Sequence, residues 1–115
     1  MTASEVFTRV RRILRDEQVD ESETRWSDDE LRDALDLGLS ALASAAPSTR
    51  YVDGQLVDRV ELPESDDESF PVDRRYAAAL AHFVCHWCYQ RDEADTANAQ
   101  LSEYHLGRFN AGAVS

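Results

Sequence analysis

Residues 25–42, RWSDDELRDALDLGLSAL, carry the strongest fold signal in the sequence. Ser27 and Glu30 have the spacing of a capping box, in which each side chain bonds the other residue's free backbone N–H. Trp26 precedes the cap and Leu31 follows it by four positions, which is the spacing of a hydrophobic staple. We therefore predict that a helix begins here, with Trp26, Ser27, Glu30 and Leu31 as its cap and first core contacts.

The second helix continues as an amphipathic segment and ends before Pro47, because proline disfavours helical geometry in the preceding residue. Its apolar stripe contains Leu31, Leu35, Leu39 and Leu42 and is widened by Leu37 and Ala41. Asp28 and Asp29 lie in its first turn, where the helix dipole favours negative charge.

A first helix is predicted to begin at Thr2, which has a capping-box partner in Glu5. One face of this helix contains Val6, Val10, Ile13 and Leu14, and the opposite side contains Arg9, Arg12 and Arg15. Residues 16–25 have almost no apolar content and are interpreted as a charged loop.

Residues 48–71 differ from the helical segments. Asp53 and Gly54 stand between two β-favouring stretches, a common signal for a two-residue hairpin turn. The apolar side chains of this insert are Tyr51, Val52, Leu56, Val57, Val60 and Leu62. Pro63 and the acidic run that follows it are expected to end the second strand. The alternative is an irregular exposed loop.

A third helix is predicted from Pro71 or Val72 to about Arg91, and a fourth from about Asp92 to Phe109. The core stripe of the third helix contains Tyr76, Leu80, Phe83, Val84 and Trp87. The seam of the fourth contains Ala94, Ala97, Leu101, Tyr104 and Arg108. The expected fold is mainly α, a small four-helix bundle with a β-hairpin or extended loop inserted at 48–71. Residues 1–110 form its single domain, and 111–115 form a flexible C-terminal tail.

The stretch HFVCHWC, from His82 to Cys88, contains two histidines and two cysteines in seven residues. Four ligands on one continuous helix cannot converge on a zinc ion, so a zinc site would need His82, His86 and a third ligand such as His105 or Glu103. A CxxC thiol is activated at a helix N-terminus, whereas Cys85 lies deep inside the predicted helix. We therefore interpret the cysteines as small apolar core residues.

The same helix has a second face without acidic residues, formed by His82, Cys85, His86 and Tyr89. A helix that is apolar nearly all round is usually buried all round. In so small a domain this pattern predicts contact with a neighbouring subunit.

The 115 residues carry a net charge of −11, and all twelve basic residues are arginine. A GC-rich genome or a high-salt cytoplasm would each explain that composition. The charge argues against sequence-specific nucleic-acid binding, which needs clustered basic residues. The sequence contains no apolar run long enough for a membrane span and no signal-peptide pattern, so we expect a soluble protein. No phosphate-binding, dinucleotide-binding or nucleophile-elbow motif is present, so we expect no enzyme activity.

The order of these elements resembles the head–tail connector, or adaptor, proteins of tailed phages and related viruses. One stretch that carries the resemblance is the W-S-x-x-E-L start of helix two, at Trp26, Ser27, Glu30 and Leu31. The other is the D-x-x-D-x-x-N-A start of helix four, at Asp92, Asp95, Asn98 and Ala99. Nearly the whole chain takes part in this order of elements.

The resemblance implies a virion protein that assembles in the host cytoplasm as a homo-oligomeric, dodecameric ring under the portal protein. Such a ring extends the DNA channel, contacts the next tail or stopper component, and needs no cofactor or metal. DNA only passes through it, and no membrane is involved. By position, the portal contacts would be Arg108, Phe109, Asn110 and Val114, and the inter-subunit or channel loop would contain Tyr51, Asp53, Gly54 and Leu56.

Two alternatives remain at the level of sequence. The net charge of −11 also fits an acidic regulatory or DNA-mimic protein that binds a basic partner. A small metal-binding helical bundle that uses His82 and His86 is the other alternative.

Overall fold

The computed structural model describes residues 1–14, 26–91 and 96–113. Its four helices are α1 (Ala3–Leu14), α2 (Asp28–Ala45), α3 (Ala77–Arg91) and α4 (Thr96–Ala113). Two short strands, β1 (Tyr51–Val52) and β2 (Gln55–Leu56), lie between α2 and α3. The chain is therefore mainly helical with a hairpin insert, as the sequence predicts. Helix α3 lies at the centre and packs against the other three helices.

The start of α2 has the predicted capping box. The Ser27 hydroxyl accepts from the Glu30 backbone N–H at 3.1 Å, and the Glu30 carboxylate accepts from the Ser27 backbone N–H at 3.2 Å. Trp26 is half-buried against the core. Its ring packs edge-to-face with the Trp87 ring, and the two ring centroids are 5.8 Å apart. Leu31 is fully buried. The helix ends at Ala45, two residues before Pro47.

The buried stripe of α2 is confirmed for Leu31, Leu35, Leu39 and Leu42, all at most 2% exposed. The prediction that Leu37 widens this stripe is wrong, because its side chain is 50% exposed. The buried face widens instead on the side of Ala34 and Gly38, where small residues let α3 approach closely. Ala41 is partly buried against the core.

Helix α1 begins at the predicted cap, where the Thr2 hydroxyl accepts from the Glu5 backbone N–H at 3.2 Å. The Glu5 carboxylate accepts from Arg74 at 3.2 Å rather than completing the box. Ile13, predicted on the buried face, is exposed. Phe7 is buried in its place, which turns the packed face of the helix away from Ile13.

The other predictions for α1 have mixed outcomes. Val6 and Val10 are fully buried, and Leu14 packs against the core. Arg9 and Arg12 are exposed, as the sequence predicts. Arg15 and the predicted charged loop at 16–25 lie outside the described residues.

The hairpin forms at the predicted turn. Asp53 and Gly54 have φ values of 51° and 80°, which are the left-handed values of a two-residue hairpin turn. Tyr51 pairs with Leu56, and one further backbone hydrogen bond, from the Val57 N–H to the Arg50 carbonyl at 2.8 Å, follows this pair. The second strand is therefore shorter than predicted, and Pro63 plays no part in ending it. Residues beyond the strand turn back to the core, where Val60 is buried.

The starts and ends of the last two helices differ from the prediction. Pro71 and Val72 precede a short 3₁₀ turn at Arg74–Tyr76, which Asp73 caps by accepting from the Arg75 backbone N–H at 2.9 Å. Helix α3 then runs from Ala77 to Arg91, the predicted end. Helix α4 continues four residues beyond Phe109 to Ala113, so residues 111–113 are helix rather than tail. The predicted start near Asp92 lies outside the described residues.

The predicted seam of α4 is wrong where the structure describes it. Leu101, Tyr104 and Arg108 are exposed. The buried face contains Ser102, His105, Phe109 and Ala113. The side chains of Ala94 and Ala97 lie outside the described residues. A search for apolar residues cannot identify this face, because two of its members are polar and find hydrogen-bond partners on α3.

Replacing Ser27 with alanine should lower the free energy of unfolding by about 1 kcal/mol, because the Glu30 backbone N–H loses its acceptor. Urea denaturation of the purified chain measures this change. Ser44→Ala is the matched control, since Ser44 is exposed in the same helix, and it should change stability much less. Equal losses in the two variants would show that the cap does not stabilise α2.

Gly38 and Gly107 provide a paired test of helix packing. A Cβ on Gly38 would lie 3.0 Å from the Phe83 ring, whereas one on Gly107 would meet no described atom within 4 Å. Gly107→Ala should raise the free energy of unfolding by about 0.5–1 kcal/mol, because alanine favours helix. Gly38→Ala should give a smaller gain or a loss, because the Phe83 ring must move. Equal gains by urea denaturation would contradict the close packing of α2 on α3.

Candidate interaction surfaces and the histidine cluster

The histidines of the HFVCHWC stretch lie between α3 and α4. His82 Nδ1 on α3 is 2.8 Å from His105 Nδ1 on α4. One turn further along α3, His86 Nδ1 lies 2.8 Å from the Ser102 hydroxyl oxygen and 3.0 Å from the Ser102 carbonyl oxygen. The Tyr89 ring stacks on His105 with a centroid distance of 5.5 Å and an interplanar angle of 2°.

These contacts show what lies against the second face of α3 within the chain. Helix α4 of the same chain covers His82, His86 and Tyr89, which are half-buried, and Cys85 is fully buried. The sequence pattern could not show that the following helix covers much of this face. Because His82, His86 and Tyr89 stay half-buried, contact of this face with a neighbouring subunit stays a prediction.

The histidine cluster offers few ligands for a metal ion. The described residues contain no group of three or more histidine, cysteine or carboxylate side chains placed to hold one. His82 and His105 face each other, His86 is hydrogen bonded to Ser102, and Glu103 is exposed on the other side of α4. Because zinc sites in proteins use at least three protein ligands, this arrangement does not support the metal-binding alternative.

Both rings of the His82–His105 pair are held in the neutral form. Burial, followed by the neighbouring His82 and His86, lowers the pKa of His105 to about 4. Burial also lowers the pKa of His82, followed by the positive charge of Arg108. At neutral pH one Nδ1 of the pair donates and the other accepts a hydrogen bond.

The two cysteines are thiols buried in the core. Cys85 and Cys88 are at most 1% exposed, and burial raises the pKa of Cys85 to about 12. A redox-active thiol needs a lowered pKa and access to solvent. The environment of Cys85 has the opposite effect, in agreement with its interpretation as a small core residue.

The hairpin presents an exposed apolar pair. Tyr51 is 63% exposed and Leu56 is 58% exposed, and the two residues are directly opposite each other in the strand register. Opposite residues in an antiparallel pair point to the same side, so these two side chains form one patch. Asp53 and Gly54 are exposed at the tip. All four residues predicted for the inter-subunit or channel loop are therefore accessible.

The base of the hairpin is fixed to the helices by arginines. Arg50 Nε donates to the Val57 carbonyl at 2.9 Å. The Arg59 guanidinium donates to the Ser40 hydroxyl at 2.8 Å and forms an ion pair with Asp36 on α2. These bonds give the exposed pair a defined position on the body of the protein.

The residues predicted to contact the portal divide into two groups. Arg108 and Asn110 are exposed on α4. Phe109 is 1% exposed and packs edge-to-face with Phe83, with ring centroids 5.2 Å apart. Phe109 is therefore a core residue, and the prediction that it contacts the portal is wrong. Hydrophobicity alone does not distinguish a terminal core residue from a docking residue. Val114 lies outside the described residues.

Sequence reasoning missed Ser102 as part of the histidine cluster. Ser102, His105 and Phe109 follow each other at intervals of three and four residues, which places them on one face of a helix. The same spacing relates His82 to His86. Two helical faces that each carry polar residues at this spacing are a signal for mutual hydrogen bonding, although neither face is apolar enough to appear as core.

Comparisons with models of known protein families, with curated proteins and with solved structures found no match to this chain. None of the helices in the described parts of the chain combines the length and apolar content needed to cross a membrane.

The burial of Cys85 predicts slow reaction with thiol reagents. In the native protein at pH 8, Cys85 and Cys88 should react with Ellman's reagent at least about a hundredfold more slowly than in the urea-unfolded chain, because both thiols are inaccessible. Rapid reaction of one thiol in the native protein would show that the α3 face is open in solution. The two single Cys→Ser variants assign each rate to its cysteine.

Proposed function

We propose that the protein is a structural, non-enzymatic subunit of the head–tail interface of a tailed virus. In this proposal, copies of the chain form a ring, dodecameric in the family that the sequence resembles. The ring docks under the portal protein, continues the DNA channel and contacts the next tail component. The observation that carries the proposal is the exposed Tyr51–Leu56 pair on a hairpin anchored to the helical body.

The hairpin is better suited to binding than to stabilising a single chain. Two-stranded hairpins gain little stability by themselves, and this one has strands of two residues. Its two large exposed side chains contribute little to the core of their own subunit. Burying each of them against a partner would contribute on the order of 1.5–3 kcal/mol. A neighbouring copy in a ring provides that partner once for every subunit.

The net charge of −11 has two consequences for a ring. Copies of the chain repel each other at low ionic strength, so assembly should become more favourable as salt screens the charge. An acidic surface also repels phosphates, so DNA passing through the ring would not adhere to it. The exposed Arg108 and Asn110 on α4 are the described residues that this proposal places at the portal.

Sedimentation velocity at micromolar concentration, in low and in molar salt, tests the ring. A dodecamer of the 13.0 kDa chain would have a mass of about 156 kDa. We expect the ring-sized species to be favoured in molar salt, where the Debye length falls to about 3 Å. A chain that stays monomeric in both conditions and also with portal protein added would contradict the proposal.

The Tyr51→Ser/Leu56→Ser variant should fold normally and fail to assemble, because it loses the exposed pair and no core residue. Leu37→Ser is the matched control, since Leu37 is 50% exposed on α2 and lies outside the hairpin. It should assemble like the unchanged chain. Circular dichroism confirms folding of each variant. Normal assembly of the hairpin variant would show that another surface joins the subunits.

The acidic regulatory or DNA-mimic alternative predicts a different outcome in the same experiment. Such a protein would remain a monomer or dimer and would bind a basic protein with an affinity that falls steeply as salt increases. The hairpin variant would then bind as well as the unchanged chain, because its net charge is the same.

A further inference from the structure

The three histidines between α3 and α4 make two chemically different contacts. His86 contacts Ser102, and the geometry allows His86 Nδ1 to act as a hydrogen-bond donor in this contact. The Ser102 hydroxyl donates to the His86 carbonyl at 3.1 Å, which leaves the hydroxyl oxygen, 2.8 Å away, and the Ser102 carbonyl, 3.0 Å away, as acceptors for His86 Nδ1–H. A histidine that gains a second proton keeps Nδ1–H, so this contact survives acidification.

The contact between His82 and His105 tolerates one added proton but not two. Two imidazole nitrogens that lie 2.8 Å apart can share only one proton, because one must accept what the other donates. One added proton can occupy the far nitrogen of the donor ring and leave the hydrogen bond intact. A second proton, on the accepting Nδ1, turns the bond into two opposed N–H groups and places two positive charges side by side. The two rings are also stacked, with centroids 5.1 Å apart. Rotating either ring to separate the two Nδ1 atoms would therefore also break the stacking contact.

The surroundings of the pair oppose its protonation from both helices. On α4, His105 is buried and Arg108 adds a positive charge near His82. On α3, the neighbouring His86 also lowers the pKa of His105, and Cys85 is a buried neutral thiol. The neutral Tyr89 ring also stacks on His105. The groups that influence the pair therefore favour its uncharged form, in agreement with the lowered pKa values of both rings.

We infer that the His82–His105 contact is an acid-sensitive latch that holds α4 on α3 at neutral pH and releases it on acidification. Release would expose the apolar inner side of α4, which contains Phe109 and Ala113, and the facing side of α3. The inference rests on the geometry of the pair and does not depend on the proposed ring.

The sign of the effect follows from proton linkage. The rings are neutral in the folded chain and titrate near their ordinary value of 6.5 once α4 is released. The latch is therefore intact above this pH and weakens as the pH falls from 6.5 toward the value of about 4 for His105. The proton that His105 takes up on opening raises the opening equilibrium by up to about tenfold for each pH unit in this window.

Hydrogen exchange measured by mass spectrometry at pH 7.5, 6.5, 5.5 and 4.5 tests the latch, with rates corrected for the intrinsic pH dependence of exchange. Protection of residues 101–113 in α4 should be unchanged between pH 7.5 and 6.5. It should then fall by up to about a hundredfold between pH 6.5 and 4.5. Residues 31–42 in α2 are the internal reference and should keep their protection.

Two outcomes of this experiment would overturn the inference. The first is equal protection of α4 at pH 7.5 and 4.5. The second is a parallel fall in α2 and α4, which would indicate acid unfolding of the whole chain and not release of one helix.

Variants separate the latch from other effects of acid. His105→Asn replaces a titrating ring with an amide that can donate to or accept from His82, so the protection of α4 should no longer fall between pH 6.5 and 4.5. His86→Asn is the matched control and should retain the acid dependence of the unchanged chain. If His105→Asn does not fold, His82→Asn removes the other half of the same contact. Persistence of the full acid dependence in the folded variant would refute the latch.

Discussion

The packing of α3 against the other three helices is the constraint on which the rest of the structure depends. Helices α1 and α2 cover its apolar side, where Leu80 and Val84 are fully buried. The remaining side carries His82 and His86, which cannot be buried against purely apolar residues without losing their hydrogen bonds. Helix α4 therefore supplies polar partners at matching positions, and this requirement determines which face of α4 is inside.

The hairpin insert is held on the helices although few of its side chains are buried. The segment from Tyr51 to Phe70 contributes only Val60 and Phe70 as buried side chains. Two ion pairs hold much of the remaining insert on α2. Arg59 pairs with Asp36, and Arg32 pairs with Asp66. Partly exposed ion pairs of this kind contribute modestly to stability, but together they define where the hairpin projects. The exposed apolar pair thus stands on a fixed base.

The candidate sites differ in how far the sequence could predict them. The hairpin patch was predictable in outline, because an Asp-Gly turn specifies a two-residue hairpin and alternation along the strands specifies which side chains share a face. The histidine contact was not, because His105 lies 23 residues from His82 and only the packing of α4 brings them together. Phe109 was assigned to a docking surface for the same reason, since only the length and placement of α4 show that it is buried.

The sequence by itself determined the features that depend on neighbours along the chain. These are the capping box of α2, the leucine stripe that follows it, the hairpin turn and the end of α3 at Arg91. Each is specified by hydrogen bonds or side-chain spacing within a few residues. The tertiary structure alone decided which faces are covered. The exposed residues include Leu37, Leu101 and Tyr104, whereas Ser102 and His105 are buried. Burial depends on which helix lies opposite and not on hydrophobicity alone.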